Sequence, residues 1–278
     1  MSKYKIPYRD FKLPYKQIME RKNFAIDLIL SCGDILNQNW NGQPYTLKPD
    51  HSPVTPIDIL IKNLVWDTLP VTYPKDGLTT EEGGTKSGKN NFHWYVDEID
   101  SSGSYARNID IFPGIIFSLT YKNTPVMGVT YQPGLNDYKG ELLYAVLGKG
   151  AFARQRGRHP KLSVSSAGLV NLVVGREFKK KTLDKIIKNL NSERCLESII
   201  IASGALKMNM VSTGKCTAYI SKHPLHPWDI IGPSLILTES GGMLHDFSGD
   251  SIDVVEGSEN GLIAANNAFV SDYILKAL

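Results

Sequence analysis

The segment Tyr95-Val96-Asp97-Glu98-Ile99-Asp100-Ser101-Ser102 delivers an apolar, strand-like lead-in to two aspartates and then to a small-residue turn. In a regular strand, residues three apart face opposite ways, so Asp97 and Asp100 converge only if the strand end bends. Ser101 and Ser102 are residues of the kind that supply such a bend. Two carboxylates brought together repel each other, and a folded protein relieves this with a bridging cation or a shared proton. A divalent cation is the favoured reading, because further acidic positions accompany the pair: Glu81-Glu82 upstream, Asp58 after Pro53-Val54-Thr55, and Asp229 after Trp228. Carboxylates and carbonyls suit a hard ion such as Mg²⁺, whereas zinc calls for histidine and cysteine.

The elements that must position these groups are legible in part. Ile18, Ala25, Leu28, Ile29, Cys32, Ile35 and Leu36 recur at helical spacing, which predicts an amphipathic helix over residues 16–39. Thr55 or Asp58 opens a second helix through Ile61, Leu64 and Val65. Residues 83–91 are polar and glycine-rich and read as an exposed loop. Strand-like runs follow at 93–96, 114–121, 126–132 and 142–145, the middle two joined by the turn Lys122-Asn123-Thr124-Pro125. From Leu169 onward, short strands (172–175, 198–202, 218–220) alternate with helices (179–190, 205–213), and Trp228-Asp229 opens an apolar helix that stops at Gly241-Gly242.

Composition sets the outer limits. At 278 residues, 42% hydrophobic and 21% charged, the chain is ordinary globular material, expected to form one compact α/β unit with a sheet-rich lobe over 1–168 and an α/β lobe over 169–278. A net charge of +3 without a basic block argues against a nucleic-acid polymer or a membrane surface as partner. Cys32, Cys195 and Cys216 lack paired metal spacing and read as free thiols of a reducing compartment. With no signal-type apolar core near Met1 and no run long enough to span a bilayer, a cytoplasmic protein is expected.

An ordered set of motifs adds a sharper expectation. Lys48-Pro49-Asp50-His51-Ser52-Pro53-Val54-Thr55-Pro56-Ile57-Asp58, Glu81-Glu82, Asp97-Glu98-Ile99-Asp100-Ser101-Ser102, Trp228-Asp229-Ile230-Ile231-Gly232 and Glu239-Ser240-Gly241-Gly242 resemble the successive motifs of the inositol monophosphatase family, which includes bisphosphate nucleotidase-like and histidinol-phosphatase-like members. Lesser matches at 128–133, 148–152, 174–176 and 261–266 spread the resemblance over nearly the whole chain. It implies a layered α-β-α-β-α sandwich of the inositol monophosphatase and fructose-1,6-bisphosphatase type, a homodimer, frequent lithium sensitivity, and hydrolysis of a small phosphate monoester. The cofactor it implies is Mg²⁺, as two or three ions that neutralise phosphate, activate water and stabilise the leaving group.

Position by position, the resemblance makes Glu81, Asp97 and the carbonyl of Ile99 ligands of a first ion, and Asp97, Asp100 and Asp229 ligands of a second, with a third leaning on Glu81 through water. It assigns Asp58 and the Ser102 hydroxyl to the attacking water, with Glu81 among the catalytic carboxylates. The amides of Ser101 and Ser102 cradle phosphate, and Asp100 and Asp229 border the substrate. Arg176 is a candidate for an anionic substrate group, with a surface ion pair as the rival reading. Two positions depart from the family pattern D-P-[ILV]-D-G-[ST]: Glu98 stands in place of Pro and Ser101 in place of Gly. A Cβ at 101 shifts the anion site or slows turnover, because glycine there lets the backbone approach phosphate and adopt unusual dihedrals. A pseudoenzyme that keeps metal or phosphate without turnover is therefore the alternative from another class.

Simpler readings compete for single residues. A lone Asp58 or Asp100 before a helical pattern is more often an N-cap, Glu82 a solvated neighbour or a residue supporting the ligands rather than a ligand, Trp228 a packing residue, and His223 and His226 inert surface groups. Residues 83–90 spell G-x-x-x-x-G-K-N, but Asn90 lacks the hydroxyl a nucleotide-binding P-loop needs, so an ATPase is rejected in favour of a flexible lid or an inert loop. The K-x-D-x-S-P-V-T-x-x-D form of the first motif leans toward bisphosphate nucleotidases and histidinol phosphatases rather than inositol enzymes. Specificity is expected from the loops around Arg176, 203–207 and 222–226.

Overall fold

The structure is a computed structural model of the chain, and it describes residues 12–40, 42–108, 113–135, 139–155, 157–166, 170–174, 195–200 and 202–278. Arg176 and the helix expected over 179–190 lie outside the described residues.

Helices α1 (Tyr15–Gln38) and α2 (Pro56–Thr72) turn apolar stripes, Ile18, Ala25, Ile29, Cys32 and Leu36 on one and Ile57, Ile61, Val65 and Leu69 on the other, into a shared core. Each fully buried Ile or Leu of this kind contributes about 1.5–3 kcal/mol. Between them, β1 (Thr46–Leu47) and β2 (Pro53–Val54) form a short antiparallel pair. The helices cover a seven-stranded sheet of β3 (Gly77–Thr80), β4 (Gly84–Lys86), β5 (Phe92–Asp100), β6 (Gly114–Tyr121), β7 (Thr124–Gln132), β8 (Glu141–Val146) and β9 (Gly150–Arg154), ordered β4-β3-β5-β6-β7-β8-β9. Only β3 and β5 pair in parallel.

The second sheet has the order β11-β10-β12-β14-β13, from β10 (Val170–Val174), β11 (Cys195–Ile200), β12 (Ala218–Ser221), β13 (Met243–His245) and β14 (Leu262–Ala265). Strand alternation sorts its side chains by face. Val173, Tyr219, Leu262 and Ala264 meet α4 (Gly204–Ser212) and α5 (Pro227–Glu239), while Leu172, Val174, Ala218, Ile220, Ile263 and Ala265 meet α6 (Ala268–Ala277). Helix α5 also sends Leu235 and Ile236 into the core of the first sheet. The layers thus run α1/α2, seven-stranded sheet, α4/α5, five-stranded sheet, α6, the five-layer sandwich expected. Among the described residues, no helix is long and apolar enough to cross a membrane.

The glycines of two motifs explain how α5 sits so close to the first sheet. A Cβ on Gly128 would stand 2.4 Å from the carbonyl oxygen of Gly232, so strand β7 and helix α5 touch backbone to backbone. Gly232 lies three residues after Asp229, so this contact fixes the start of α5 over the sheet.

Residues 83–91 are not an open loop. They begin as β4, antiparallel to β3, and end at the far side of the sheet from Asp100. There Asn90 Nδ2 donates to Asp76 Oδ1 at 2.7 Å, and the amides of Lys89 and Asn90 donate to the Lys75 carbonyl at 2.7 and 3.1 Å. Asp76 also takes a two-pronged ion pair from Arg21, at 2.7 and 2.9 Å, and a bond from Trp94 Nε1 at 3.0 Å. Asn90 therefore anchors the segment, in contrast with the lid expected near the metals.

Candidate active site

Asp97 and Asp100 do converge, by a different device from the one expected. The register between β5 and β6 shifts between Asp97, opposite Ile116, and Asp100, opposite Gly114. Three steps along β5 match two along β6, which is a β-bulge. Val96 and Ile99 consequently share the core under α1 and α2, and Asp97 and Asp100 share the opposite face. The serines turn the chain only afterwards. Ser101 takes the left-handed conformation, φ 82° and ψ 39°, as N-cap of the short helix α3 (Ser102–Ala106).

Around the pair stand the other predicted carboxylates. Glu81 ends the run of β3 and lies within hydrogen-bonding reach of Asp97. Asp229, in the first turn of α5, holds the His226 amide at 2.8 Å and lies close enough to Asp97 and Asp100 for their charges to act on it. Asp97 is 2% exposed, and its Oδ1 is buried without a hydrogen-bond partner. Its pKa is pushed well above the usual carboxylate range, by burial first and then by Glu81, Asp100, Asp229 and Glu98. Burial and the Asp100 charge push Asp229 up to about 8. Burial likewise raises Glu98, fully buried behind the cluster, to about 8.

Asp58 and Ser102 form a second constellation beside the first. Thr55, not Asp58, is the N-cap of α2, and Asp58 completes the capping box at the third position. Asp58 Oδ2 accepts the amide and hydroxyl of Thr55 at 2.7 and 2.5 Å, leaving Oδ1 to face the Ser102 hydroxyl at 2.7 Å. That hydroxyl also lies 2.8 Å from the Ile99 carbonyl, which places the proposed carbonyl ligand beside the same group. Burial raises the proton affinity of Asp58 against the pull of these hydrogen bonds.

Several residues take tasks that the sequence did not reveal. Asp100 caps another element, α4: its carboxylate accepts Ser203 Oγ at 2.6 Å and the amides of Ala205 and Gly204 at 2.8 and 3.2 Å. Of the two simpler readings of Glu82, the supporting one holds, since Lys48 Nζ bridges it and Glu81 at 2.7 Å each. The [ST]-x-x-[DE] spacing of Thr55 and Asp58 was a readable capping signal, and Lys48 opens the motif that ends at Asp58. Trp228 is half-buried and stacks on the exposed His226 ring at 4.7 Å, so it packs on a neighbour in the mouth of the site rather than in a core.

The donor set is oxygen throughout, and the partnerless buried oxygen of Asp97 fits a hard cation. Among the described residues, no three acidic, His or Cys side chains stand close enough to one point to hold an ion as they lie. The reason is visible: Lys48 holds Glu81, the start of α4 holds Asp100, and the His226 amide holds Asp229. An ion would replace or share these contacts.

The chain is 28% identical over 269 residues to a fructose-1,6-bisphosphatase/inositol-1-monophosphatase of Thermotoga maritima, covering 94% of this chain and 96% of the relative. It is 26% identical over 209 residues to the 3′(2′),5′-bisphosphate nucleotidase CysQ of Aggregatibacter actinomycetemcomitans, covering 73% and 75%. The solved Thermotoga maritima IMPase superposes with a TM-score of 0.79 at 25% identity, over 93% of this chain and 96% of that one. A family model described as the inositol monophosphatase family matches residues 18–278, so the chain belongs to the inositol monophosphatase family of phosphatases.

Proposed function

We propose that the protein hydrolyses a small phosphate monoester with Mg²⁺ as cofactor. The observation that carries this is the bulge in β5, which turns Asp97 and Asp100 to one face, where Glu81 and Asp229 meet them. Glu81, Asp97 and the Ile99 carbonyl would hold a first ion, Asp97, Asp100 and Asp229 a second, with Glu81 lending itself to a weaker third. Bound there, Mg²⁺ supplies charge neutralisation for the phosphate and the leaving alkoxide and lowers the pKa of water.

The chain's own residues handle the proton. Ser102 Oγ gives its single proton to Asp58 Oδ1, which leaves a lone pair to accept a proton from the attacking water. As the water attacks phosphorus and the ester P–O bond breaks, the water proton passes to Ser102 and the serine proton to Asp58, while the leaving alkoxide takes a proton from solvent water. Thr55 fixes the other oxygen of Asp58, so the base cannot rotate away. Burial makes Asp58 the better base for this step. In this reading 1–278 works as one unit, in which lobe 1–168 contributes the base, the serine and most ligands and lobe 169–278 contributes Asp229. The amides of Ser101 and Ser102 at the start of α3 serve as the phosphate cradle.

The K-x-D-x-S-P-V-T-x-x-D motif and the nucleotidase relative favour a bisphosphate nucleotide or histidinol phosphate over an inositol phosphate. Phosphate release measured with Mg²⁺, with and without EDTA, over inositol 1-phosphate, adenosine 3′,5′-bisphosphate, fructose 1,6-bisphosphate and histidinol phosphate tests the reading. Chelator-sensitive turnover of one of these, lost by a hundredfold or more in Asp97→Asn without loss of fold, is expected. Unchanged activity in Asp97→Asn would sink the metal-site assignment. The strained Ser101 favours one second reading, a pseudoenzyme. Mg²⁺ binding with silence on every substrate would decide for it.

A further inference from the structure

The segment over 83–90, which spells G-x-x-x-x-G-K-N, has no part in the proposed reaction, yet its end is built into a pocket of about 330 Å³. That volume lies at the low end of the range for small-molecule sites. Gly88 and Asn90 of the segment, Asn91 and His93 around the start of β5, and Lys122 and Asn123 in the β6–β7 turn line it. Phe92 and Asp100 close opposite ends of β5, about 26 Å apart at the strand rise, so the pocket and the acidic cluster are separate places.

The walls are held from both sides. A Cβ on Gly88 would stand 2.5 Å from the Gly77 amide nitrogen, so the segment lies directly on the backbone of β3. Asn90, which anchors the segment to Asp76, also accepts the Phe92 amide at 2.8 Å. Across the pocket, the Lys122 amide donates to the Asn91 carbonyl at 2.9 Å, and Lys122 and Asn123 both take the left-handed conformation, φ 51° and 56°. A backbone fixed in this way leaves a ligand little ordering to impose.

The charge of the pocket is one-sided. No carboxylate lines it. The Lys75 carbonyl takes the amides of Lys89 and Asn90, which places Lys75 and Lys89 at its edge. Lys86 Nζ donates to the carbonyls of Pro74 and Asp76 at 3.1 and 2.9 Å, neutral partners that leave its charge uncancelled. The acid nearby, Asp76, is buried and already paired with Arg21. Burial and the Lys86 charge together hold His93 below the usual histidine range, so the positive field of the lysines reaches the pocket wall. Asn91 and Asn123 add carboxamides, which offer both donors and acceptors. We propose that this pocket is a second anion site that takes a phosphate-bearing small molecule, with Lys122 as its charged contact and Asn91 and Asn123 as its polar partners. The site is independent of the reaction proposed above and stands whether or not that reading does.

The test is an amide NMR titration of isotope-labelled full-length protein without Mg²⁺, with inorganic phosphate and, separately, glycerol 3-phosphate. Saturable shifts at Gly88, Asn91, His93 and Asn123 are expected. Tighter binding of the ester than of phosphate would identify a phosphorylated metabolite as the occupant, and the reverse order would identify the free ion. Lys122→Met is expected to weaken binding on the order of tenfold, because a charge-assisted hydrogen bond is lost, while Lys122→Arg retains it. Asn123→Gly, which keeps the left-handed turn and removes the carboxamide, should weaken binding several-fold. Shifts confined to the amides of α3, a drift that never saturates, or an affinity unchanged in Lys122→Met would each overturn the second site.

Discussion

At residue 101 a serine occupies a conformation that favours glycine. For a side chain bearing Cβ, the left-handed region costs on the order of 1 kcal/mol, and Ser101 makes no capping hydrogen bond in return. Ser101→Gly is therefore expected to raise the unfolding free energy by about 1 kcal/mol in urea titrations and to raise turnover, by relieving strain where phosphate would sit. A more stable variant with lower turnover would show instead that the serine is matched to the substrate. The resemblance to the family exposed this position, because its pattern has glycine where this chain has serine. It could not expose the bulge two residues earlier. Hydrogen-bond register belongs to a pair of strands, and nothing in 95–102 alone says that β6 answers three residues with two. The same limit hid the partners of Asp100 and Glu81, which come from α4 and from the turn between β1 and β2, far away in the chain.

At the scale of elements, apolar patterning read α1 and the strands β6 and β7 nearly to their ends, while α2, followed to Val65 in the sequence, runs on to Thr72. It missed the short strands β13 and β14, which are ordered by the sheet they join, and passed over α6, whose buried Val270, Ile274 and Ala277 do recur at helical spacing. Glu239 shows how such pieces are fastened. At the end of α5 its carboxylate accepts the amides of Gly148 and Gly150 at 2.7 and 2.6 Å, tying the β8–β9 turn to the helix that carries Asp229. Two motifs that looked separate in the sequence are halves of this one clasp. Bonds from amides to a charged acceptor that is half-buried contribute on the order of 1–3 kcal/mol together. Glu239→Ala should lower stability by about that amount while leaving Mg²⁺ binding in place. A loss below roughly 0.5 kcal/mol, in the range typical of surface substitutions, would mean that water replaces the clasp.

The whole molecule brings the acidic groups together by packing α5 between two sheets, so the charge of the site is a cost borne by the entire fold. Glu98 and Asp229 are each raised to about 8 by burial, and Asp58, Glu81, Asp97 and Asp100 are raised as well. A carboxyl whose folded pKa exceeds its unfolded value holds a proton in the native state that the unfolded chain has already released. Stability is thus greatest below the unfolded value, near 4, and declines as pH climbs toward 8. Metal-free protein should lose a few kcal/mol between about pH 5 and 8, seen as a falling melting temperature. On the proposed reading Mg²⁺ would reverse the sign of the interaction, because it would bind the ionised carboxylates only where the fold has gathered them. At a hundredfold excess over its dissociation constant a ligand of the native state adds about 2.7 kcal/mol. The melting curve with Mg²⁺ should therefore be flatter with pH than the metal-free one, the gap between them widening above pH 7. Removing the charge of Glu98 with Glu98→Gln should flatten the metal-free curve alone. A metal-free protein that grew more stable from pH 5 to 8 would contradict this account, since it would mean that the cluster gains more from its hydrogen bonds and Lys48 than it loses to burial and mutual repulsion.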